Sequence, residues 1–414
     1  MSTILLTIIS AIVAIFQPLY SIYSLMVVLS PLIRRRSVKN SRCEASNSEP
    51  KSVAIVLAVY KEDYESILRS LRSIVSQKYD PRLIRIVIVI EENDEATLNN
   101  VMEAIEHIKP TNRVDIVKAN CRLRGGGKAC ALNTALRLIN EDVYIVFDAD
   151  DYVQDDYVAE AVCALQRATA VTTKVYRVGR GILANFTTLD TILWYDIVLY
   201  FIYWIGNYIP LSGEGLGIKT RYLKHIGGFP EKLTEDAYLA ILLARDRKPI
   251  TYLDTTYVVE KAPSGFKSYV DQRLRWIQGY YECLAATMSL LFRRELGFRD
   301  SIPLLISFIS PILGIGTFLT HTLFIAYWIS YFLGIKYMLV VLNTIFVPIV
   351  FYWGMFNLVV GNLAIIYQIL YTMSDSMFQE LVPYVLLLPL YWYMLGLLSI
   401  LALFLPKEWR RTKR

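Results

Sequence analysis

Residues 52–60, SVAIVLAVY, form an unbroken apolar and β-branched run closed by a tyrosine, and their reading decides the fold. Such a run, too short for a long helix and bounded by polar residues, predicts a strand buried on both faces. Downstream, YESILRSLRSIVSQ (64–77) repeats its apolar residues at helical spacing, and IRIVIVI (84–90) is a second buried strand. A helix over 95–108, the short strand VDIVKA (114–119), a helix over 127–139 and the strand VYIVFDAD (143–150) follow. Strands and helices alternating at this length predict a doubly wound α/β domain with a mainly parallel sheet. Ligands of such sheets bind beyond the carboxyl ends of the strands. Glu62, Glu91–Glu95 and Asp148–Asp151 all fall there.

Outward from this domain the composition changes. The 414 residues are 55% hydrophobic and only 19% charged, and mean hydropathy is +0.39. Residues 4–33 and 302–405 are nearly free of charge. The organisation expected is an N-terminal transmembrane helix within 1–36, a polar linker over 37–51, a catalytic domain over 52–300, transmembrane helices within 301–406 and a basic tail over 407–414. The first block lacks a small-residue cleavage site and reads as an anchor. The +6 net charge gathers at Arg34–Arg36, at Arg293, Arg294 and Arg299, and in the tail KEWRRTKR. These positions suit anionic headgroups and a cytoplasmic catalytic domain in a multi-pass protein of the plasma membrane, with no nucleic-acid partner. Three apolar blocks, 302–335, 337–372 and 381–405, leave the number of crossings open. Five cysteines without CxxC spacing read as reduced thiols in a cytosol-facing domain. Residues 192–211, ILWYDIVLYFIYWIGNYIPL, are apolar enough to approach a span. One crossing would part the carboxylates on either side of it. The segment is therefore expected in the interface, with Trp194, Tyr195, Tyr200, Tyr203, Trp204 and Tyr208 at headgroup level. A buried aromatic helix in the domain core is the alternative.

Each polar motif also has an ordinary structural reading. Asp148-Ala149-Asp150 can hold a hard divalent cation on a diphosphate, or be a solvated turn at a strand end. Gly125-Gly126-Gly127-Lys128 fails the Walker pattern, although a Lys at a helix start can meet a phosphate. Thr234-Glu235-Asp236 is equally a helix cap with acids in its first turn. Gln272-Arg273-Leu274-Arg275-Trp276 offers two guanidinium groups for phosphate and an indole for a sugar ring, or a basic helix face at the membrane edge.

Taken in order, these motifs change weight. The series Glu91–Glu95, GGGKACALN (125–133), DAD (148–150), TED (234–236) and QRLRW (272–276) resembles the membrane-integrated family 2 glycosyltransferases, the group of cellulose, chitin and hyaluronan synthases. SGEGLGIKTRYLKHIGGFPEKLTEDAYLAILLA and DTTYVVEKAPSGFKSYVDQRLRWIQG resemble the stretches that join its motifs, and PLYWYMLGLLSILALFLPKEW resembles its last bacterial span. The resemblance implies a GT-A-type, Rossmann-like domain beside an α-helical membrane region. It implies an inverting, metal-dependent hexosyltransferase, processive on a growing β-linked polysaccharide, with single transfer to a lipid or polyprenyl phosphate as the alternative. A non-catalytic transporter or nucleotide-sugar sensor is the reading from another class. Tyr60, Glu62, Glu91, Lys128, Asp148, Gln272 and Arg275 would bind a nucleotide-sugar donor, with a UDP-sugar the first expectation. Asp150, with Asp148, would hold Mg2+ or Mn2+. Asp236 would be the general base, and Trp276 and Glu235 would meet the acceptor. Two departures stand out: Glu91-Glu92-Asn93 where relatives often have Asp-Asp-Gly, and Ser212-Gly213-Glu214 where they often have a Gly-Thr turn.

Overall fold

The computed structural model describes residues 49–121, 127–336 and 375–407, with scattered positions within 16–33 and 340–370. The N-terminal span, Arg34–Arg36, Gly125, Gly126, most of the 337–372 block and nearly all of the basic tail lie outside the described residues.

The expected α/β alternation is present. β1 (Val53–Val59), β2 (Ile84–Glu91), β3 (Arg113–Ala119) and β4 (Val143–Asp148) alternate with α1 (Tyr64–Val75), α2 (Glu95–Ile108) and α3 (Lys128–Leu136). Local chemistry sets the helix starts. Asp63 accepts from the backbone N–H of Ser66 at 2.9 Å, and Asp94 accepts from that of Thr97 at 3.3 Å. These bonds satisfy donors that a helix start otherwise leaves orphaned. β1 lies between β2 and β4, parallel to both. Its side chains are buried almost throughout, as an apolar run without alternation requires.

Beyond β4 come β5 (Tyr152–Val153), α4 (Tyr157–Leu165), β6 (Ala170–Val178), β7 (Leu216–Lys219) and β8 (Ile250–Lys261). The eight strands form one sheet in the order β3-β2-β1-β4-β7-β6-β8-β5, antiparallel at β4–β7, β6–β7 and β5–β8. This mixed half was not anticipated. Its strands mingle polar and apolar residues, and Thr172, Thr173, Lys174 and Arg177 are buried in β6 despite their chemistry.

The aromatic segment lies, as far as Ile205, within a continuous helical stretch: α5 (Ile182–Ile192), a π-helical stretch over Leu193–Leu199, and α6 (Tyr200–Ile205). Over its most apolar window, 67% of this stretch is buried inside the protein. Tyr195, Tyr200 and Tyr208, expected at headgroup level, are buried, whereas Trp204 is exposed. The reason is electrostatic. Asp196 points into the domain and pairs with buried Lys174 of β6 at 3.0 Å, and it accepts a 2.8 Å hydrogen bond from the Tyr176 hydroxyl.

α7 (Glu235–Arg245) leads to α8 (Phe266–Phe292), α9 (Phe298–Phe308) and α10 (Ser310–Phe332), and then α11 (Asp375–Leu386) and α12 (Leu388–Phe404). α10 is long and apolar enough to cross a membrane, and only 11% of its most apolar window is buried. The 381–405 block is not straight: its two helical parts bend by 62° between Leu386 and Leu388. The 302–335 block is likewise divided, between α9 and α10. Phe292 and Phe298 are exposed beside exposed Arg293, Arg294 and Arg299, a composition suited to a headgroup layer.

The expectation of reduced thiols fails. Cys121 and Cys130 form a disulfide, and Cys163 is disulfide-bonded as well; among the described residues Cys283 is a free thiol. The bond joins the residue after β3 to the first turn of α3, and no short motif marks the pair.

Removing one partner of a buried ion pair leaves the other charged and unpaired, at a cost of about 3–5 kcal/mol. Asp196→Ala should therefore lower the melting temperature in detergent steeply, and Asp196→Leu combined with Lys174→Met should recover most of the loss. A double variant no more stable than the single one would count against this pairing.

Candidate active site

A cavity of about 480 Å3 opens at the carboxyl ends of β1, β2 and β4 and continues to α10 and α12. Tyr60, Glu91, Lys128 and Asp148 line it, together with Glu235, Asp236, Arg275 and Trp276. Eight of the expected site residues thus meet in one space. Glu62, Asp150 and Gln272 do not line it. Asp150 and Gln272 are buried, and the Asp150 carbonyl accepts from the Arg69 guanidinium.

Lys128 opens α3 and reaches across to β4. Its Nζ pairs with Asp148 Oδ1 at 2.5 Å and donates to the Gly213 carbonyl at 3.1 Å. Gly213 leaves no space for a side chain: a Cβ there would stand 2.9 Å from Lys128 Nζ and 3.2 Å from Asp236 Oδ2. The Ser212-Gly213-Glu214 departure therefore lies between the lysine and the carboxylate of the TED motif. Ser212 is held in turn, its hydroxyl 2.6 Å from that of Tyr195.

Glu235 and Asp236 begin α7. Thr234 occupies the N-cap position but makes no side-chain cap bond. It packs instead on Gly279 of α8, where any Cβ would come within 2.4 Å of it. That close approach brings α7 against α8, which carries Arg275 and Trp276. Asp236 Oδ1 accepts from the Ala237 N–H at 2.7 Å. Burial pushes the Glu235 carboxyl up to about 7, aided by the charge of Asp236 and opposed by Lys128. Burial also raises Asp236, with the charge of Glu214 adding to it. Burial works against the Lys128 ammonium, but Asp148, Glu214 and Glu235 outweigh it and hold the amine charged.

The two arginines of QRLRW both line the cavity, and Arg273 also pairs with Asp190 of α5 at 2.8 Å, which lines it as well. Arg273 and Arg177 lie 4.7 and 4.6 Å from the Trp276 ring centroid, within cation–π range. Arg177, from β6, was not anticipated. Its guanidinium joins Glu260 of β8 at 2.5 Å and Glu214 at 3.4 Å. Arginine in a strand ordinarily marks a solvent-facing position, so the sequence around Arg177 carries no sign of this role.

Asp148, Glu214 and Glu260 have carboxylate oxygens within 4.8 Å of one another. Three acids against Lys128 and Arg177 leave one negative charge, and an all-oxygen donor set suits Mg2+ or Mn2+. Asp148 belongs to this group and Asp150 does not.

Residues 50–279 match the family model described as glycosyltransferase like family 2. Among curated relatives, the β-monoglucosyldiacylglycerol synthase of Trichormus variabilis is 23% identical over 250 residues, covering 59% of this chain and 53% of the relative. The hyaluronan synthase of Streptococcus pyogenes serotype M3 is 26% identical over 253 residues, covering 57% of this chain and 58% of the relative. The chain thus spans a little over half the length of these relatives. Among solved structures, the mannosyltransferase PcManGT from Pyrobaculum calidifontis, in complex with GDP-Man and Mn2+, has a TM-score of 0.61 at 18% identity, covering 96% of this chain and 98% of its own. That likeness shows a GT-A-like sheet domain and apolar helices arranged alike in the two chains. The matched span runs from β1 through the QRLRW segment of α8 and takes in all eight strands and every expected site residue, and the chain belongs to glycosyltransferase family 2.

Proposed function

We propose that this chain is an inverting glycosyltransferase that moves a sugar from a nucleotide-sugar donor, once, onto an acceptor carried by a lipid at the membrane surface. One observation carries the choice of acceptor: the cavity that Asp236 lines is lined also by Ser310, Gly314 and Thr317 of α10 and Trp392 and Ser399 of α12. These two helices cross at glycine. A Cβ on Gly396 would stand 2.4 Å from the Gly314 carbonyl oxygen, and one on Gly314 would stand 2.7 Å from Ser399 Oγ. Among the described residues, α10 and α12 are thus in direct contact where they meet the site, and an apolar acceptor chain would lie along them. The β-monoglucosyldiacylglycerol synthase agrees with a lipid acceptor. The hyaluronan synthase keeps polymer extension as the second reading.

In this reading the donor nucleotide lies against Tyr60 and Glu91, with Glu62 at its margin. Lys128 and Arg275 face the diphosphate, and Gln272, buried on the helix that carries Arg275, lies behind them. Asp148 with Glu214 would hold Mg2+ or Mn2+, which when bound supplies positive charge to the leaving diphosphate; of the expected Asp148–Asp150 pair, only Asp148 reaches the cavity. GDP-sugars are candidate donors beside UDP-sugars, a reading that the PcManGT complex with GDP-Man and Mn2+ supports. Asp236 takes the proton of the acceptor hydroxyl as that oxygen attacks the anomeric carbon and the bond to the diphosphate breaks. Glu235 and Trp276 bound the acceptor side, and one displacement turns an α-linked donor into a β-linked product. The catalytic domain stands on the cytoplasmic side of a multi-pass membrane protein.

Nucleotide release from UDP- and GDP-sugars by purified protein should depend on Mn2+ or Mg2+ and cease on chelation. With a lipid acceptor, the product should be one β-linked glycolipid; a ladder of lengths selects polymer extension, and an α-linkage excludes the single displacement. Asp236→Asn should cut transfer by roughly a hundredfold or more with nucleotide binding retained; loss of both would unseat Asp236 as the base. Because its carboxyl is raised by burial, the base is lost to protonation as pH falls, so the acid limb of kcat/KM should lie above the ordinary carboxylate value of about 4. Gly213→Ala should slow transfer roughly a hundredfold by displacing Lys128 and Asp236, with an unchanged melting temperature; wild-type turnover would contradict the close approach.

A further inference from the structure

We propose that the Cys121–Cys130 disulfide is a positioning element of the donor site, fixing where Lys128 stands against Asp148. The proposal rests on the reading of this cavity as the donor site.

Cys121 follows β3 at the carboxyl edge of the sheet, is buried, and lines the cavity with Gly127 and Lys128. Cys130 lies in the first turn of α3, its N–H bonded to the Gly127 carbonyl at 3.1 Å. The covalent bond thus joins a strand end to a helix start, with Cα atoms 5.7 Å apart. Lys128 is two residues from the bonded sulfur.

α3 needs such a tie. It has nine residues, and its N-cap, Gly127, provides no side-chain bond to the first turn. Uncapped helix starts fray, because their first N–H groups lack partners. Lys128 is the first residue of that turn, yet it bridges to β4 through Asp148 and to the Gly213 carbonyl. Fraying would therefore act directly on a lysine that lines the cavity. The same sheet edge carries Glu91, whose neighbour Glu92 donates its N–H to the Ala119 carbonyl at 2.9 Å. Cys121 is thus anchored to the strand pair β2–β3, and through Cys130 the helix start is anchored with it.

A dithiol reductant breaks the S–S bond, delivers two electrons and two protons to Cys121 and Cys130, and leaves as its own cyclic disulfide. Because Cys163 is also disulfide-bonded, the decisive comparison uses the Cys121→Ala/Cys130→Ala double variant of the full chain.

Peptide mapping without reductant should find Cys121 linked to Cys130. The double variant, assayed well below its melting temperature, should raise the donor KM about tenfold with kcat within about twofold, and bind UDP or GDP with Mn2+ correspondingly more weakly. Added dithiol should raise the donor KM of the wild type in the same way and leave that of the double variant unchanged. Free thiols at both positions in the native protein overturn the proposal. So does equal nucleotide affinity in wild type and double variant, with the donor-site reading intact. A wild-type protein that binds neither UDP nor GDP overturns the donor-site reading and this proposal together.

Discussion

Charge taken out of water has to be answered by charge, and this constraint organises the catalytic half of the molecule. Lys174 with Asp196 holds the aromatic helix to β6. Arg177 with Glu214 and Glu260 joins β6, the segment before β7, and β8. Arg273 with Asp190 joins α8 to α5. Lys128 with Asp148 closes the set across α3 and β4. Each pair links two different elements, so the packing of the site and its electrostatics are one arrangement. A buried pair of this kind contributes little net stability, but losing either member costs several kcal/mol. Such pairs specify which arrangement forms more than they stabilise it.

The same constraint explains what was legible in the sequence. The parallel half of the sheet is driven by apolar burial, which writes itself as SVAIVLAVY and IRIVIVI and could be read directly. Motif residues at strand ends and helix starts were also readable, because topology alone sends them to one edge. β6 and its neighbours were not. Their burial depends on partners a hundred or fewer residues away, and a strand reading AVTTKVYRV shows no apolar face until Asp196, Glu214 and Glu260 are placed around it. The disulfide was hidden for a similar reason: it depends on how the β3–α3 connection closes.

The aromatic segment 192–211 shows how hydropathy misleads where a few charges decide. By composition, Ile182–Ile205 passes as a span. Two aspartates, Asp190 bonded to Arg273 and Asp196 bonded to Lys174 and Tyr176, tie it into the wall of the sheet domain. Trp194 and Tyr195 then line the cavity, while Trp204 stays on the outside.

α8 has a second attachment besides its contact with α7. Gln278, two residues beyond Trp276, donates through Nε2 to the Leu405 carbonyl at 3.0 Å, just past the last turn of α12. One face of that helix bears cavity residues, and another is tethered to the end of an apolar helix. The Tyr269 hydroxyl donates to that of Tyr391 at 2.8 Å, adding a second tether on α12. The helix that carries Trp276 into the cavity is therefore hydrogen-bonded to the same apolar helix at two points nine residues apart, so a displacement of α12 would be felt at the cavity wall.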